Sequence, residues 1–303
     1  MLTLAKAPLQ PLRLGWLDSA GIKVMVLRLD LIDPLVSGNK WFKLEPYWQA
    51  AQHSGHSGLM SLGGAYSNHL HALAAAGQRL GFKTVGLLRG HAQQTSTVED
   101  LQAFGMTLHW MGYAGYRQRH EAGFWQPWRE RYPDLLEVPE GGGGRLGAQG
   151  CAAIVVQAHA QLAAVGWDDY HGWWLASGTG TTLAGLVLAE AGAHPVYGAL
   201  AVPQDHGVQQ TVAALAGTSG YRLLEASGGG FARADATLLE FMRDSEQASG
   251  IPLEPVYTAK ALMALRDKVT EGFFARGTRL IFVHTGGLQG RRGIDAASAL
   301  KFS

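Results

Sequence analysis

Short apolar runs alternate along this chain with longer segments whose apolar positions recur at helical spacing. IKVMVLRLDL (22–31) predicts a strand, and WFKLEPYWQAAQHSG (41–55) predicts a helix ended near glycine, with Pro46 in its first turn. GLMSLGG (58–64) is a short strand leading into a helix over 67–81, with Ser67 or Asn68 near its N-terminus. KTVGLLRG, a helix near 97–104, MTLHWMGY and a helix near 116–131 continue the alternation, and LLEVPEGGGG runs into the apolar segment 148–166. Next come GWWLASG, a helix over 181–192, PVYGALAV, a helix from 207 and YRLLEASGG. Helices over 236–249 and 259–275 and the strand RLIFVHTGG complete the pattern. Strand and helix alternating in this way predict parallel sheets covered on both faces. No internal repeat or low-complexity linker breaks the series.

Length and composition narrow the class. At 303 residues the chain exceeds what one simple core organises, which favours two lobes with a cleft between them. It is 47% hydrophobic and 16% charged, which suits a well-buried enzyme and argues against disorder. A net charge of +1 without a basic run argues against nucleic acid or an anionic membrane as partner. The first residues show no signal-peptide pattern, and no uninterrupted apolar stretch reaches membrane-spanning length. The single cysteine, Cys151, can make neither an internal disulfide nor a thiolate metal site by itself. The expectation is a cytoplasmic enzyme. Glycine stands out at 41 residues, with clusters at 63–64, 141–144, 178 and 180, 228–230 and 286–287. Each cluster lies by an apolar run, where strand-to-helix turns bring backbone close to a ligand.

Candidate chemistry lies in four segments. In SGNKWFKLE, Lys40 reads in isolation as a snorkelling surface lysine; partly buried, it would lose its proton easily and attack an aldehyde. SGTGTT (177–182), between a strand and a helix, offers N–H groups and threonine hydroxyls to an anion. It matches neither a Walker A loop nor a GxGxxG fingerprint, so a phosphate monoester fits better than a triphosphate or dinucleotide. In SLGGAYSNHLHAL, Ser67 reads alone as an N-cap, while His69 and His71 lie two apart and point to different helix faces, against a shared metal. Before a helix, PVYT holds Tyr257 and Thr258, which read alone as a core aromatic and an N-cap.

Together these segments resemble the fold type II pyridoxal-5′-phosphate (PLP) enzymes, and within them the 1-aminocyclopropane-1-carboxylate deaminase/D-cysteine desulfhydrase family. The resemblance runs from about 24 to 290 and rests on six motifs in order: GNKWFKLE, GGAYSNH, LGAQG, SGTGTTLAG, PVYTAK and VHTGG. It implies an α/β fold like the tryptophan synthase β chain: two open, twisted, mostly parallel sheets with flanking helices and the cofactor between lobes. The larger lobe is expected from 1–43 and 155–303, the smaller from 44–154. By the same resemblance Lys40 carries the cofactor as a Schiff base and Lys43 helps to bind its phosphate. Gly178, Thr179, Gly180, Thr181 and Thr182 form the phosphate cup. Ser67 lies near the substrate, Asn68 beside the PLP 3′-oxygen, and Tyr257 lines the substrate side. No metal is expected, and a homodimer is implied.

Two positions separate the branches of the family. Cyclopropane deaminases carry glutamate after P-V-Y, next to the pyridine nitrogen; this chain has Thr258, as desulfhydrase-like members do. A neutral hydroxyl there gives a weaker electron sink, suited to α-proton removal coupled to loss of a β-substituent. His69 follows Ser-Asn, again as on the desulfhydrase side, and is expected among the substrate contacts. The chain departs from the family at Phe231, where many members have a second active-site tyrosine, and at His71 and Ala72, where they have Arg-Gln. The implied function is a PLP-dependent lyase or deaminase with Lys40 as base, assisted by Ser67 or Tyr257. The implied products of D-cysteine are pyruvate, ammonia and sulfide. Another fold type II activity on a different amino acid (deaminase, dehydratase or racemase, 1-aminocyclopropane-1-carboxylate included) is one alternative. A PLP-fold protein with little catalysis is another.

Overall fold

A computed structural model of the chain describes residues 4–292. The first half contains β1 (Leu9–Leu12), α1 (Gly15–Ala20), β2 (Lys23–Arg28), α2 (Lys40–His53), β3 (Gly58–Gly63), α3 (Asn68–Leu80) and β4 (Lys83–Leu88). Then follow α4 (Ser96–Ala103), β5 (Thr107–Trp110), α5 (Gly112–Arg117), α6 (Gln126–Arg131), β6 (Leu135–Glu137) and α7 (Gly144–His159). The second half contains β7 (Gly172–Ser177), α8 (Thr181–Glu190), β8 (Val196–Leu200), α9 (Val208–Ala216) and β9 (Tyr221–Glu225). It ends with α10 (Ala236–Ser249), α11 (Thr258–Thr270) and β10 (Arg279–His284).

Ten strands form two sheets, ordered β1-β2-β10-β7-β8-β9 and β5-β4-β3-β6. Every pairing is parallel except β1 with β2. The unbroken apolar strands follow from two-sided cover: adjacent Trp173 and Trp174 in β7 point to opposite faces of the larger sheet, and both are fully buried. On one face Trp173 joins a core filled from α7, α8 and α9; on the other Trp174 joins a core from α1, α10 and α11. The smaller sheet packs likewise, with α2, α3 and α4 on one face and Tyr116 and Phe124 on the other.

Three expectations change locally. The strand expected over 22–31 stops at Arg28, because Leu29–Leu31 turns into a 3-10 helix that presents Asp30 to Arg28 (2.6 Å) and His284 (3.2 Å). The helix expected over 116–131 is two short helices joined by a 3-10 turn. Pro46 stands in the second turn of α2 rather than the first. There it removes the N–H that the Phe42 carbonyl would accept. That spot is where α7 packs closest: a Cβ on Gly150 would stand 1.9 Å from the Phe42 oxygen and 2.7 Å from Pro46 Cγ. Helix α2 spans the two cores, giving Phe42 to that of the larger sheet and Trp41, Leu44 and Tyr47 to the smaller sheet's. The buried residues of α7 from Ala148 to Ala158 pack on the larger sheet, so we propose that the lobes divide ahead of Gly144 rather than at 154/155.

Candidate active site

Strands β3, β4, β7 and β10 end at one cavity of about 620 Å³, lined from both sheets. Carboxyl ends of parallel strands are where open α/β folds take their ligands, and this volume suits a cofactor-sized molecule. Lys40, the first residue of α2, lines it. Its Nζ donates to Asn39 Oδ1 at 2.8 Å, and Asn39 Nδ2 donates to Thr182 Oγ1 at 2.8 Å. This two-link chain ties the lysine to the start of α8. Burial, with the charge of Lys43 adding to it, brings the Lys40 amine down to about 7, so near neutrality much of it has a free lone pair. Lys43, on the next turn of α2, is buried, and its Nζ donates to the Gly141 carbonyl at 3.3 Å.

The residues expected as the cup lie at the N-terminus of α8. Gly178, Thr179, Gly180 and Thr182 line the cavity, whereas Thr181 is buried outside the lining and holds its hydroxyl 3.3 Å from that of Thr179. Ser177 also lines this end, but its Oγ is buried without a partner among the described residues and lies against Gly198 of β8. Free N–H groups of a helix start, with Lys43 across from them, suit an anion. With a half-neutral lysine alongside, the set fits a phosphate ester that carries an aldehyde.

From the smaller lobe, Ser67, Asn68 and His69 all reach the cavity. Ser67 is an N-cap as well: Oγ accepts from Leu70 N at 3.2 Å, leaving its own proton to donate. His69 is buried, with Nε2 2.8 Å from Ser61 Oγ, and Ser61 spends its only proton on the Val138 carbonyl at 2.8 Å. His69 therefore carries its proton on Nε2, and burial beside Lys40 and Lys43 pushes its pKa well below the ordinary imidazole value. His71 does not reach the cavity; it pairs with Asp100 at 3.1 Å, away from His69. No cluster of three or more metal-binding side chains occurs among the described residues.

Tyr257 and Phe231 line the other wall, rings 6.2 Å apart and edge to face, with Phe231 49% exposed. Burial pushes the Tyr257 phenol up, so it holds its proton. Thr258 is not brought to the cavity. Its Oγ1 accepts from Glu254 N at 2.8 Å, its own N–H donates to Glu254 Oε1 at 2.6 Å, and the hydroxyl is spent inside its turn. Three residues that sequence reasoning passed over line the cavity instead: Glu254, Thr285 and Arg89. Glu254 accepts N–H bonds from Val256, Tyr257 and Thr258. Its signal was the Glu-x-x-x-Thr spacing, as Thr285 was signalled by VHTGG. Asn39, also missed, stood inside the GNK motif. Arg89, at the end of β4, lies over the Tyr113 ring at 5.7 Å and has no carboxylate within 4 Å among the described residues.

Comparison with known proteins gives the family and the fold. The model of the pyridoxal-phosphate dependent enzyme family matches residues 4–286. A Thermotoga maritima protein named "Putative 1-aminocyclopropane-1-carboxylate deaminase" is 29% identical over 90% of this chain and 91% of its own length. A Pyrococcus horikoshii protein of the same name is 24% identical over 89% and 86%. Among solved structures, an ACC deaminase homologue superposes with a TM-score of 0.81 at 23% identity, covering 100% of this chain and 95% of its own. Threonine deaminase isoform 2 from Solanum lycopersicum superposes at 0.69 with 16% identity, covering 94% and 80%. At such identities these structures establish the fold. The chain belongs to the pyridoxal-phosphate dependent enzymes and has their fold type II architecture.

Proposed function

We propose that this enzyme is a lyase of small amino acids, removing the α-proton and expelling a β-substituent as D-cysteine desulfhydrases do. The observation that carries the reading is the Lys40 amine, held at about 7 in one cavity with the hydroxyls of Ser67 and Tyr257. When bound, PLP supplies an aldehyde that captures the substrate's amino group and a conjugated ring that stores the electrons of the broken bond. Lys43 with Gly178, Thr179, Gly180 and Thr182 would hold the phosphate. Lys40 takes the α-proton, since part of it is unprotonated at neutral pH. Ser67 and Tyr257 act as donors rather than bases, because both keep their protons; either can protonate a departing thiolate. D-cysteine and water then balance as pyruvate, ammonia and hydrogen sulfide. We assign the neutral hydroxyl expected of Thr258 to Thr285, which lines the cavity, while Glu254 is committed to three main-chain N–H groups. Arg89, the cation left over after the phosphate is held, meets the substrate's carboxylate.

The relatives' names favour a second reading, deamination of 1-aminocyclopropane-1-carboxylate. A panel of D- and L-amino acids with 1-aminocyclopropane-1-carboxylate, assayed for keto acid, sulfide and change of chirality, separates the two. Sulfide from D-cysteine well above every other product supports β-elimination. 2-Oxobutyrate from the cyclopropane as the main product overturns it, and turnover of nothing on the panel leaves a PLP-binding protein. A homodimer in the cytoplasm is the companion expectation, checked by light scattering of the purified protein and by cell fractionation.

A further inference from the structure

The carboxamide of Asn68 lines the cavity, and one of its edges is already occupied. Gln289, in the 3-10 turn Leu288–Gly290 after β10, donates from Nε2 to Asn68 Oδ1 at 2.9 Å. An amide has one acceptor edge and one donor edge. With Oδ1 taken, Nδ2 is the free edge, and it has no protein partner among the described residues. Gly287 clears the space it needs, since a Cβ there would stand 2.7 Å from Asn68 Nδ2. The turn is anchored beyond the contact: Arg291 bonds Glu246 at 2.6 Å and the Leu253 carbonyl at 3.1 Å, and Arg292 pairs with Asp100. Gln289 therefore approaches from the larger lobe and Asn68 from the smaller.

We infer that Gln289 is a positioning residue, one that sets which edge of Asn68 faces the cavity. It fixes the amide with its Nδ2 donor edge free, the polarity needed by an anionic oxygen. This rests on the reading that the cavity holds PLP with Asn68 beside its ring oxygen. Without a pin, the amide is free to turn over and present its acceptor edge to that oxygen. No other side chain bonds Asn68 Oδ1 among the described residues.

Two substitutions separate pinning from mere packing. In Gln289→Glu the new side chain only accepts, so it draws Nδ2 and turns Oδ1 into the cavity. In Gln289→Met the volume is kept and the pin removed. The measurements are the visible absorbance band of lysine-bound PLP against pH and the PLP dissociation constant from tryptophan quenching. A hydrogen bond to a charged group sets the scale: Gln289→Glu weakens PLP by about ten- to a hundredfold and displaces the band, and Gln289→Met lies between it and wild type. In an Asn68→Ala background, Gln289→Glu adds nothing. Unchanged affinity and band in Gln289→Glu overturn the inference, as do equal losses in Glu and Met variants. If Gln289→Glu fails to fold, the Met variant carries the test through its band position, which packing alone leaves in place. A wild-type protein that shows no PLP band defeats the cofactor reading, whereas a wild-type band that neither variant moves defeats this one alone.

Discussion

Lys40 shows what a single residue gains and costs here. Its amine is lowered from 10.5 to about 7, chiefly by burial. Because the folded pKa lies below the unfolded one, the unfolded chain binds more protons between about 7 and 10.5, and stability rises with pH across that window. Below about 7 both states are protonated and the cost of the buried ammonium is present in full. Lys40→Met removes that cost. The apoprotein variant should melt higher than wild type at pH 6, with the difference shrinking towards pH 10, while its PLP absorbance band is lost. Calorimetry across pH and a spectrum with PLP check the two halves. The unmodified lysine makes a second prediction. Only the free amine attacks an aldehyde, so the rate at which apoprotein captures PLP should climb through about pH 7 and level off above it. Stopped-flow absorbance measures this directly, and a rate still climbing steeply between pH 8 and 9 would contradict the lowered amine.

At the scale of elements, α7 sets how far Lys40 and Lys43 stand from the phosphate cup, because it packs on α2, which carries the lysines, and on α8, which starts at the cup. Tyr47 fastens α2 to it through the Gly143 carbonyl. Gly150→Ala puts a methyl 1.9 Å from the Phe42 oxygen, and main chain on a packed helix cannot give way by a side-chain rotation. A loss of about 1–3 kcal/mol in denaturant melts is expected, with weaker PLP binding as α2 shifts. Most of this scaffold was legible beforehand, since strands buried on both faces, like GWWLAS, are unbroken apolar runs. What escaped were elements held by partners rather than by their own pattern. Strand β1 is LQPL, an edge where Pro11 is tolerated, and the 3-10 turn at Leu29–Leu31 depends on Asp30 meeting Arg28 and His284. The site divides the same way. The candidate cup was legible as a loop because its five residues are contiguous, whereas Asn39, Glu254 and Arg89 come to the cavity only through tertiary contact. Thr258 stood in the expected motif, yet sequence does not say where a side chain points, and its hydroxyl turned back onto Glu254.

Over the whole molecule, the two lobes leave the cavity with an excess of positive charge at its mouth. Of the carboxylates that line it, Glu140 is tied to Arg119 at 2.7 Å and to the Tyr116 hydroxyl at 2.6 Å, and Glu254 to main chain. On the proposed reading Lys40 and Lys43 serve the cofactor, which leaves Arg89 as the cation with no carboxylate partner among the described residues. A guanidinium at the rim draws in an amino acid's carboxylate, and its influence fades as salt screens it. Arg89→Met keeps the aliphatic stem against Tyr113 and removes the charge. In the variant kcat/KM for the preferred amino acid should drop by about tenfold at low salt, mostly through KM, as expected when a charged hydrogen-bond donor is lost. The gap between variant and wild type should narrow as ionic strength rises, while PLP affinity stays put because the phosphate end is untouched. Steady-state kinetics at two salt concentrations, beside a PLP titration, test this. A fall in kcat with KM unchanged, or an equal loss at both salts, would instead place Arg89 in the chemical step or in the fold.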